Sequence, residues 1–435
     1  MMLEYHAGLF GMVAMLLMLL MRLPVAFTMF LVGFLGIAFL NGWNSAWSLL
    51  ASETFTLASS PELIVIPLFI FMGNIASKSG MSSKLFDAAY AIVGSMRGGL
   101  ASATILGCGG FAALSGSSVA SALTMGKVAL TEMDRFDYHK RLSSGVVAAG
   151  GTLGILIPPS TGFVIYAILT EQSIGRLFLA GILPGVLLTL LFILIITIIC
   201  TIDPKYGPSG PETSLSEKML ALRNAAPIFL VVLVTIGGMY AGIFSPVEAS
   251  AVGAVIVLIL ALINGSISIN NIFEASRDAV VTTATVMLIL IAAHLINPFI
   301  ALSNLPDLAE EILLSFNFGT YGTLILILFI YLILGCFLEG FAMLVLTLPI
   351  FFPIIQTLEI DPIWFGVLVV ITLEMGLISP PVGINVFIVK SVARDTELAD
   401  IFRGVLPFWC MMLLCIGILI TFPQISLLLP NTMFD

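Results

Sequence analysis

The sequence predicts an all-α integral membrane protein made of two inverted-topology repeats. Each repeat is expected to have five membrane spans, a re-entrant helical hairpin and a broken helix. Three observations predict this fold. Hydrophobic residues make up 60% of the 435 residues and charged residues only 9%, and the mean hydropathy is +1.17, unlike a soluble globular domain. Apolar runs long enough to cross a bilayer recur along the whole chain. Several motifs recur at a nearly constant distance in the two halves.

The apolar runs place five spans in each half of the chain. The expected spans are residues 6–22, 24–41, 61–78, 142–170 and 177–201, and then 226–243, 246–264, 279–301, 362–391 and 404–429. The first run resembles a secretory signal in length, but no basic flank precedes it and no small-residue cleavage site follows it. We therefore expect it to be a retained first span.

A longer apolar stretch lies between the third and fourth spans of each half. These stretches, residues 100–130 and 321–356, are interrupted at their centres by LSGSS and LEGFA. The interruption predicts two helical limbs that enter and leave the membrane on the same side. Non-helical backbone at membrane depth is tolerated only where it is buried in protein or lines a watery cavity. The two hairpins therefore indicate a permeation site.

A hydrophilic connector rich in Pro, Gly and Ser, DPKYGPSGPETSLSEK, divides the chain. It predicts a first repeat over 1–202, an exposed cytoplasmic linker over 203–223 and a second repeat over 224–435. Two motifs support the duplication, because Pro24-Val25 recurs as Pro246-Val247 and Pro158-Pro159 as Pro380-Pro381, each 222 positions later. Because each half crosses the membrane an odd number of times, the second copy is expected to be inverted, as in many secondary transporters.

The basic residues predict the orientation of the chain. With an external N-terminus, fifteen Lys and Arg residues, Arg22 among them, fall on the inside and only Arg176 falls outside. This partition follows the positive-inside rule. It places both termini on the periplasmic side, and it has the first hairpin enter from the cytoplasm and the second from the periplasm.

Two Pro-Pro segments interrupt runs that are otherwise long enough for single helices. They are GTLGILIPPSTG, residues 151–162, and MGLISPPVGIN, residues 375–385. Proline breaks the helical hydrogen bonds, so that freed carbonyls can bind a cation while the next half-helix presents its N-terminus to an anion. A single motif of this kind is more often a simple kink, but two at equivalent positions favour a binding site. The residues expected to face substrate are Pro158, Pro159, Ser160, Thr161, Pro381 and Asn385.

The hairpin tips carry the other candidate residues. Ser115, Gly116, Ser117 and Ser118 offer hydroxyl and carbonyl oxygens, which are hard ligands suited to Na⁺. The second tip holds Glu339, which could complete a cation site, relay a proton, position the tip or simply be hydrated. Glu374 beside the second break and Lys127 in the first hairpin are weaker candidates.

The same sequence disfavours several other functions. Its five cysteines and three histidines form no CxxC or HExxH pattern, and it has no GxGxxG or Walker loop, so we expect no transition metal, no cofactor and no ATP-driven pump. The formal charge of −9 argues against nucleic acid. An intramembrane hydrolase could use a serine of SGSS, but no base is evident nearby, so we expect no enzyme.

Five segments together resemble one family: the large membrane subunit, or large permease, of tripartite ATP-independent periplasmic (TRAP) transporters. They are RLPVAF from Arg22, PLFIFMGNIASKSG from Pro67, the SGSS tip, GTLGILIPPS, and ISPPVGINVFIVKSVA from Ile378. The resemblance spans nearly the full length. It implies an elevator-type transporter in which hairpins and broken helices move against a scaffold that includes a small four-helix membrane subunit.

The resemblance also implies Na⁺-coupled uptake of an organic anion, such as a C4-dicarboxylate or sialic acid, across the bacterial inner membrane. A periplasmic substrate-binding protein would deliver the anion. One Na⁺ region would comprise Ser115, Gly116, Ser117, Gly151 and Gly154, and a second Gly340, Gly376 and Pro380. Because the first repeat begins almost at Met1, we expect the small subunit to be a separate chain. The alternative is a binding-protein-independent sodium–carboxylate symporter, or an ion antiporter of related fold.

Overall fold

The structure is a computed structural model that describes residues 2–21, 23–316 and 318–433, and its described part is built from helices. The predicted all-α class is confirmed. Arg22, which begins the RLPVAF motif and belongs to the inside set, lies outside the described residues, as do Met1 and the last two residues, 434 and 435. The predictions that rest on those positions stay predictions.

The described part of the first half contains ten α-helices and one short 3₁₀ turn, Pro61–Ile64. In chain order the helices are α1 (Met2–Leu20), α2 (Val25–Asn41), α3 (Trp43–Ser59), α4 (Val65–Lys78), α5 (Met81–Val93), α6 (Gly99–Ser115), α7 (Ser118–Arg135), α8 (Lys140–Leu156), α9 (Thr161–Thr170) and α10 (Ile174–Ile202).

Among its described residues, the second half contains ten further α-helices. They are α11 (Leu215–Tyr240), α12 (Pro246–Ile263), α13 (Ile269–Leu302), α14 (Leu305–Ser315), α15 (Gly319–Gly335), α16 (Gly340–Thr357), α17 (Pro362–Leu377), α18 (Ile384–Val392), α19 (Leu398–Thr421) and α20 (Gln424–Thr432).

Seven helices of the described chain are long and apolar enough to cross a membrane, or eight if the bent pair α8–α9 forms one span. The protein is therefore a multi-pass membrane protein. Six of the seven, and the bent pair, lie at spans that the sequence predicts. The seventh is α16, which the sequence assigns to the second hairpin. Helices α1, α2 and α17 also lie at predicted spans, but each is a shorter apolar helix.

Several helix limits differ from the predicted spans. The structure adds α3 and α14, and α13 begins at Ile269 rather than at residue 279. These segments mix polar and apolar residues, so hydropathy alone does not reveal them. The polar start of α13 also meets α4, where Lys78 forms an ion pair with Glu274, with the two charged atoms 2.9 Å apart. The predicted span 404–429 is divided between α19 and α20 beside Pro423.

The linker between the halves is pinned to the protein rather than free. We call residues 203–213 the linker strap. The backbone carbonyls of Tyr206 and Gly207 accept hydrogen bonds from the amides of His139 (3.1 Å) and Gly98 (3.0 Å). The Tyr138 hydroxyl donates to the carbonyl of Pro208 at 2.8 Å. The strap therefore lies across the turns that follow α5 and α7, and α11 begins directly after it.

Helix α8 lies at the centre of the fold, where it packs against α6, α7, α17, α18 and α19. Its closest crossing is with α19, where Gly145 and Gly404 face each other so closely that a Cβ on either residue would overlap the other helix's backbone. Arg141, one turn earlier, pairs with Asp400 at 2.7 Å. Glycine is required here because the two backbones touch. This crossing joins the first half of the chain to the second.

Candidate functional site

The first hairpin reverses direction at two residues. Helix α6 ends at Ser115, Gly116 adopts a left-handed conformation with φ of +60°, and Ser117 begins the next helix as its N-cap. The Ser117 hydroxyl accepts a hydrogen bond from the amide of Ala120 at 3.3 Å. A positive φ is easily adopted only by glycine, which explains the residue at the turn. The hydroxyls of Ser115 and Ser121 lie 2.9 Å apart just inside the tip.

This tip rests directly on the first break. Helices α8 and α9 are bent by 40° around residues 157–160, and the Pro158–Pro159 peptide bond is cis. Thr161 donates both its amide and its hydroxyl to the carbonyl oxygen of Gly116, at 3.3 and 2.9 Å. A Cβ on Gly116 would lie 2.6 Å from the carbonyl oxygen of Pro159. The hairpin tip and the first break are thus one structural unit.

Two glycines of α8 form the wall facing this tip. A Cβ on Gly154 would lie 2.5 Å from the carbonyl oxygen of Ser117, and one on Gly151 would lie 2.8 Å from the Cβ of Ala122. Both positions therefore need the absence of a side chain. All five residues that the resemblance assigns to the first Na⁺ region are brought together around the first tip.

Asn385 reaches the same place from the second half of the chain. It lies in the first turn of α18, directly after the second break, and it is fully buried. A Cβ on Gly151 would be 3.3 Å from its Nδ2 atom. Neither its Oδ1 nor its Nδ2 atom has a hydrogen-bond partner among the described residues. Buried amides almost always have partners, so this one marks a place for a ligand or an ordered water.

The two breaks differ in exposure. Pro158, Pro159 and Ser160 are buried, and Ser160 caps α9 by accepting from the amide of Phe163 at 3.2 Å. By contrast, Pro380 and Pro381 are exposed, although the peptide bond between them is also cis. Of the six residues expected to face substrate, Thr161 is half-buried, Pro381 is exposed, and the others are buried, namely Pro158, Pro159, Ser160 and Asn385.

The second tip lies against α17. A Cβ on Gly376 would fall 2.7 Å from the backbone of Gly335, whereas one on Gly340 would meet the side chain of Leu373, also at 2.7 Å. Pro380 lines a cavity of 320 Å³ together with Cys336 and Trp409. The three residues of the second Na⁺ region, Gly340, Gly376 and Pro380, thus lie near α15 and α17, and each contacts different neighbours.

Glu339 is exposed, and it is the residue immediately before α16. Its backbone carbonyl accepts from the amide of Met343 at 3.0 Å. The weaker candidate Lys127 is exposed as well.

One buried contact between the two halves of the chain, that of Ser118 with Glu374, is not predicted by the sequence. The Ser118 hydroxyl lies 2.7 Å from each carboxylate oxygen of Glu374. Both side chains are buried, with exposures of 0% and 1%. The sequence does mark Glu374 as a candidate, because it is an acidic residue inside a long apolar run, two positions before Gly376. Its partner, 256 positions earlier, could not be found from the sequence.

Chemically, the first tip offers hard oxygen donors from Ser115, Ser117 and Ser121, and the Asn385 amide lies against Gly151 in the wall that faces the tip. Such oxygens suit a monovalent hard cation by the logic that governs other hard cations. Some of them already have partners, since the Gly116 carbonyl accepts two hydrogen bonds from Thr161. Among the side-chain oxygens, the Ser115 and Ser121 hydroxyls bond each other, and the Ser117 hydroxyl accepts from the amide of Ala120.

Comparison with known proteins gives the family. The family model for the tripartite ATP-independent periplasmic transporter, DctM component, matches residues 12–425. The C4-dicarboxylate TRAP transporter large permease protein DctM of Pseudomonas aeruginosa is 37% identical over 384 residues, which cover 88% of this chain and 89% of the relative. The sialic acid TRAP transporter large permease protein SiaM of Vibrio cholerae is 31% identical, with 94% and 95% of the two chains covered.

A solved structure agrees in fold. The crystal structure of the Alcanivorax borkumensis YdaH transporter superimposes with a TM-score of 0.62 at 14% identity, covering 87% of this chain and 88% of the other. The family that the sequence motifs suggest is confirmed by the family model and by relatives above 30% identity over most of the chain. The chain belongs to the DctM family of large permease proteins of tripartite ATP-independent periplasmic transporters, and is a transport protein rather than an enzyme.

Proposed function

We propose that this chain is the large permease of a TRAP transporter that takes up an organic anion by coupling to Na⁺. The substrate is a carboxylate, such as a C4-dicarboxylate or sialic acid, and the support for that class is the named substrates of the two relatives. The chain works in the bacterial inner membrane with a separate small four-helix subunit. A periplasmic substrate-binding protein delivers the anion.

The observation that carries the proposal is the buried meeting point of Asn385 with the first hairpin tip. An amide with two unpartnered atoms is costly inside a membrane protein, where every polar group needs a partner. A serine hydroxyl of the first hairpin lies against the same helix, since a Cβ on Gly154 would be 2.8 Å from Ser121 Oγ. A bound cation or anion supplies the partners that the Asn385 amide lacks, so the site is suited to reversible binding of a ligand.

The helix ends support an anionic substrate. Helices α7, α9 and α18 all begin at the first tip or at one of the two breaks. A helix N-terminus carries free amides and a partial positive charge, which attract a carboxylate. Freed carbonyls at the preceding helix ends attract the cation. Glu339, exposed at the second tip, adds a carboxylate to the second Na⁺ region.

The order of elements supports the proposed inverted repeat and elevator movement. A helical pair, α6–α7, precedes the broken helix α8–α9 in the first half, and the pair α15–α16 precedes α17–α18 in the second. The two hairpins with their broken helices form the moving body. The remaining long helices form the scaffold, and both termini are on the periplasmic side.

Reconstitution tests the proposal. The chain is purified with its small subunit, placed in proteoliposomes, and supplied with its binding protein and a radiolabelled substrate. The substrate is found first by a thermal-shift screen of the binding protein with dicarboxylates, sialic acid and other carboxylates. We expect uptake only with an inward Na⁺ gradient and with the binding protein present.

Two results would contradict this. Uptake of free substrate that is unchanged by adding the binding protein would favour the binding-protein-independent symporter. Uptake that follows a proton gradient and ignores Na⁺ would remove the Na⁺ coupling.

A further inference from the structure

Ser118 and Glu374 connect the two candidate Na⁺ regions. Ser118 is in the first turn of α7, directly after the tip residues 115–117 of the first region. Glu374 is in the last turn of α17, two residues before Gly376 of the second region. The Ser118 hydroxyl is 2.7 Å from both carboxylate oxygens. A single short contact thus spans the distance between two places that the sequence separates by 256 positions.

The carboxylate depends on this one contact. Among the described residues, Glu374 has no other hydrogen-bond donor and no ion-pair partner, although it is 1% exposed. A buried carboxylate with so few partners is costly, and an apolar residue would serve the packing of α17 better. An acidic residue kept at such depth points to a role beyond stability.

Both helices that carry the Ser118–Glu374 contact are packed against several neighbours. Helix α7 packs against α8 and α18, and α17 packs against α8, α15 and α16. The Ser118–Glu374 contact therefore connects the first tip to the C-terminal end of α17. That helix end lies directly before the second break, and there the carbonyls of Met375 and Gly376 accept hydrogen bonds from the amides of Ile378 (3.3 Å) and Ser379 (3.0 Å).

We propose that Ser118 and Glu374 are positioning residues that couple the two Na⁺ regions, so that a cation at one favours a cation at the other. This inference rests on the proposed Na⁺-driven function. A cation at the first tip orders residues 115–117 and directs the Ser118 hydroxyl at Glu374. The held carboxylate then fixes the end of α17 for the second cation. Two sites coupled in this way give a cooperative dependence of uptake on Na⁺.

The test uses uptake against Na⁺ concentration in proteoliposomes that contain the chain, its small subunit and its binding protein. The key variant is the double replacement Ser118→Ala with Glu374→Met, because removing both partners avoids leaving a buried carboxylate without a donor. We expect its Hill coefficient for Na⁺ to fall to about 1 and its half-saturating Na⁺ to rise at least about fivefold, the lower range of allosteric coupling. Ser118→Thr, which keeps the hydroxyl, should retain cooperativity.

Two control variants separate coupling from packing. Ser102→Ala removes a buried hydroxyl of α6 that has no hydrogen-bond partner among the described residues. Thr372→Val removes a hydroxyl of α17 that bonds only within its own helix, to the carbonyl of Leu368 at 2.8 Å. Both should keep the wild-type Hill coefficient. Thermal unfolding of each purified variant shows whether it is folded.

The possible failures are distinguishable. A folded double variant with wild-type cooperativity would show that the pair serves packing alone. Wild-type uptake that depends on Na⁺ with a Hill coefficient of 1 would overturn the coupling and leave the proposed function intact. Wild-type uptake without any Na⁺ dependence would overturn both.

Discussion

Thr161 donates two hydrogen bonds to the carbonyl oxygen of Gly116, through its amide at 3.3 Å and its hydroxyl at 2.9 Å. One residue thereby ties the start of α9 to the turn of the first hairpin. The hairpin and the broken helix cannot move apart without breaking both bonds. The geometry of the first Na⁺ region is therefore set by a contact between two elements, not by either alone.

Removing the Thr161 hydroxyl should loosen the first tip. We expect Thr161→Val to raise the half-saturating Na⁺ concentration for uptake about fivefold, because one net hydrogen bond is worth about 1 kcal/mol. Thr161→Ser should stay near wild type. Thr104→Val is the matched control, since its hydroxyl bonds only within α6, to the carbonyl of Leu100 at 2.8 Å. An unchanged Na⁺ dependence in Thr161→Val would argue against this role.

A side chain on Gly154 should disturb the wall of the same region. In Gly154→Ala the new Cβ would lie 2.5 Å from the carbonyl oxygen of Ser117. Such overpacking costs about 1–3 kcal/mol, and it displaces the tip. We expect uptake to fall at least about tenfold, a change of ~1.4 kcal/mol. Gly109→Ala is the control, because its Cβ would meet its nearest neighbour at an ordinary 3.4 Å. Equal uptake in the two variants would contradict the prediction.

Parts of this site could be predicted from the sequence and others could not. The Pro158-Pro159 and Pro380-Pro381 pairs mark both breaks, because proline acts on its own helix and its effect is local. The glycines at 116, 151 and 154 could likewise be named in advance from their motifs. What they face could not be, since contact with the Ser117 carbonyl depends on tertiary packing.

Three features that the sequence does not predict share one physical cause. The Ser118–Glu374 pair, the α8–α19 crossing at Gly145 and the linker strap all join residues far apart in the chain, and one sequence holds no record of such pairs. The strap in particular has the composition of a free linker. Its backbone is fixed by hydrogen bonds to other turns, and composition cannot predict those. Helix α3 was missed because it mixes polar and apolar residues.

The α8–α19 crossing should be sensitive to a single methyl group. In Gly145→Ala the new Cβ would overlap the backbone carbonyl of Gly404, so the two helices must shift apart to admit it. We expect the free energy of unfolding to fall by about 1–3 kcal/mol, with a matching fall in the thermal transition of the detergent-purified protein. Gly417→Ala, on α19 with open space around it, should change little. A Gly145→Ala protein as stable as wild type would show that the helices can separate.

The linker strap should be released when its tyrosine anchor is lost. Burial raises the pKa of Tyr138 above its ordinary value, so the phenol stays a neutral donor to the carbonyl of Pro208. Tyr138→Phe removes that bond to the strap, worth about 1 kcal/mol, and also the bond that the hydroxyl accepts from the amide of Leu100 at 3.2 Å. Because only the first of these holds the strap, we expect trypsin to cut after Lys205 about fivefold faster. Tyr240→Phe is the control, because its hydroxyl makes only an exposed bond to Thr432. An unchanged cleavage rate would show that the backbone bonds alone hold the strap.

Asn385 should separate stability from ligand binding. Its buried amide has no hydrogen-bond partner among the described residues, so it lowers the stability of the ligand-free protein. We expect Asn385→Leu to unfold at the same or a higher temperature than wild type without Na⁺ and substrate, because a leucine has no amide to desolvate. The same variant should lose the rise in unfolding temperature that Na⁺ or substrate gives wild type, together with at least about 90% of uptake, a loss of ~1.4 kcal/mol or more.

Asn74→Leu is the control, and it should behave in the opposite way. Its amide donates to the carbonyl of Ala275 at 3.2 Å, so it should lose stability and keep the response to ligand. If Asn385→Leu keeps both uptake and the ligand-induced rise, the amide has no part in the site.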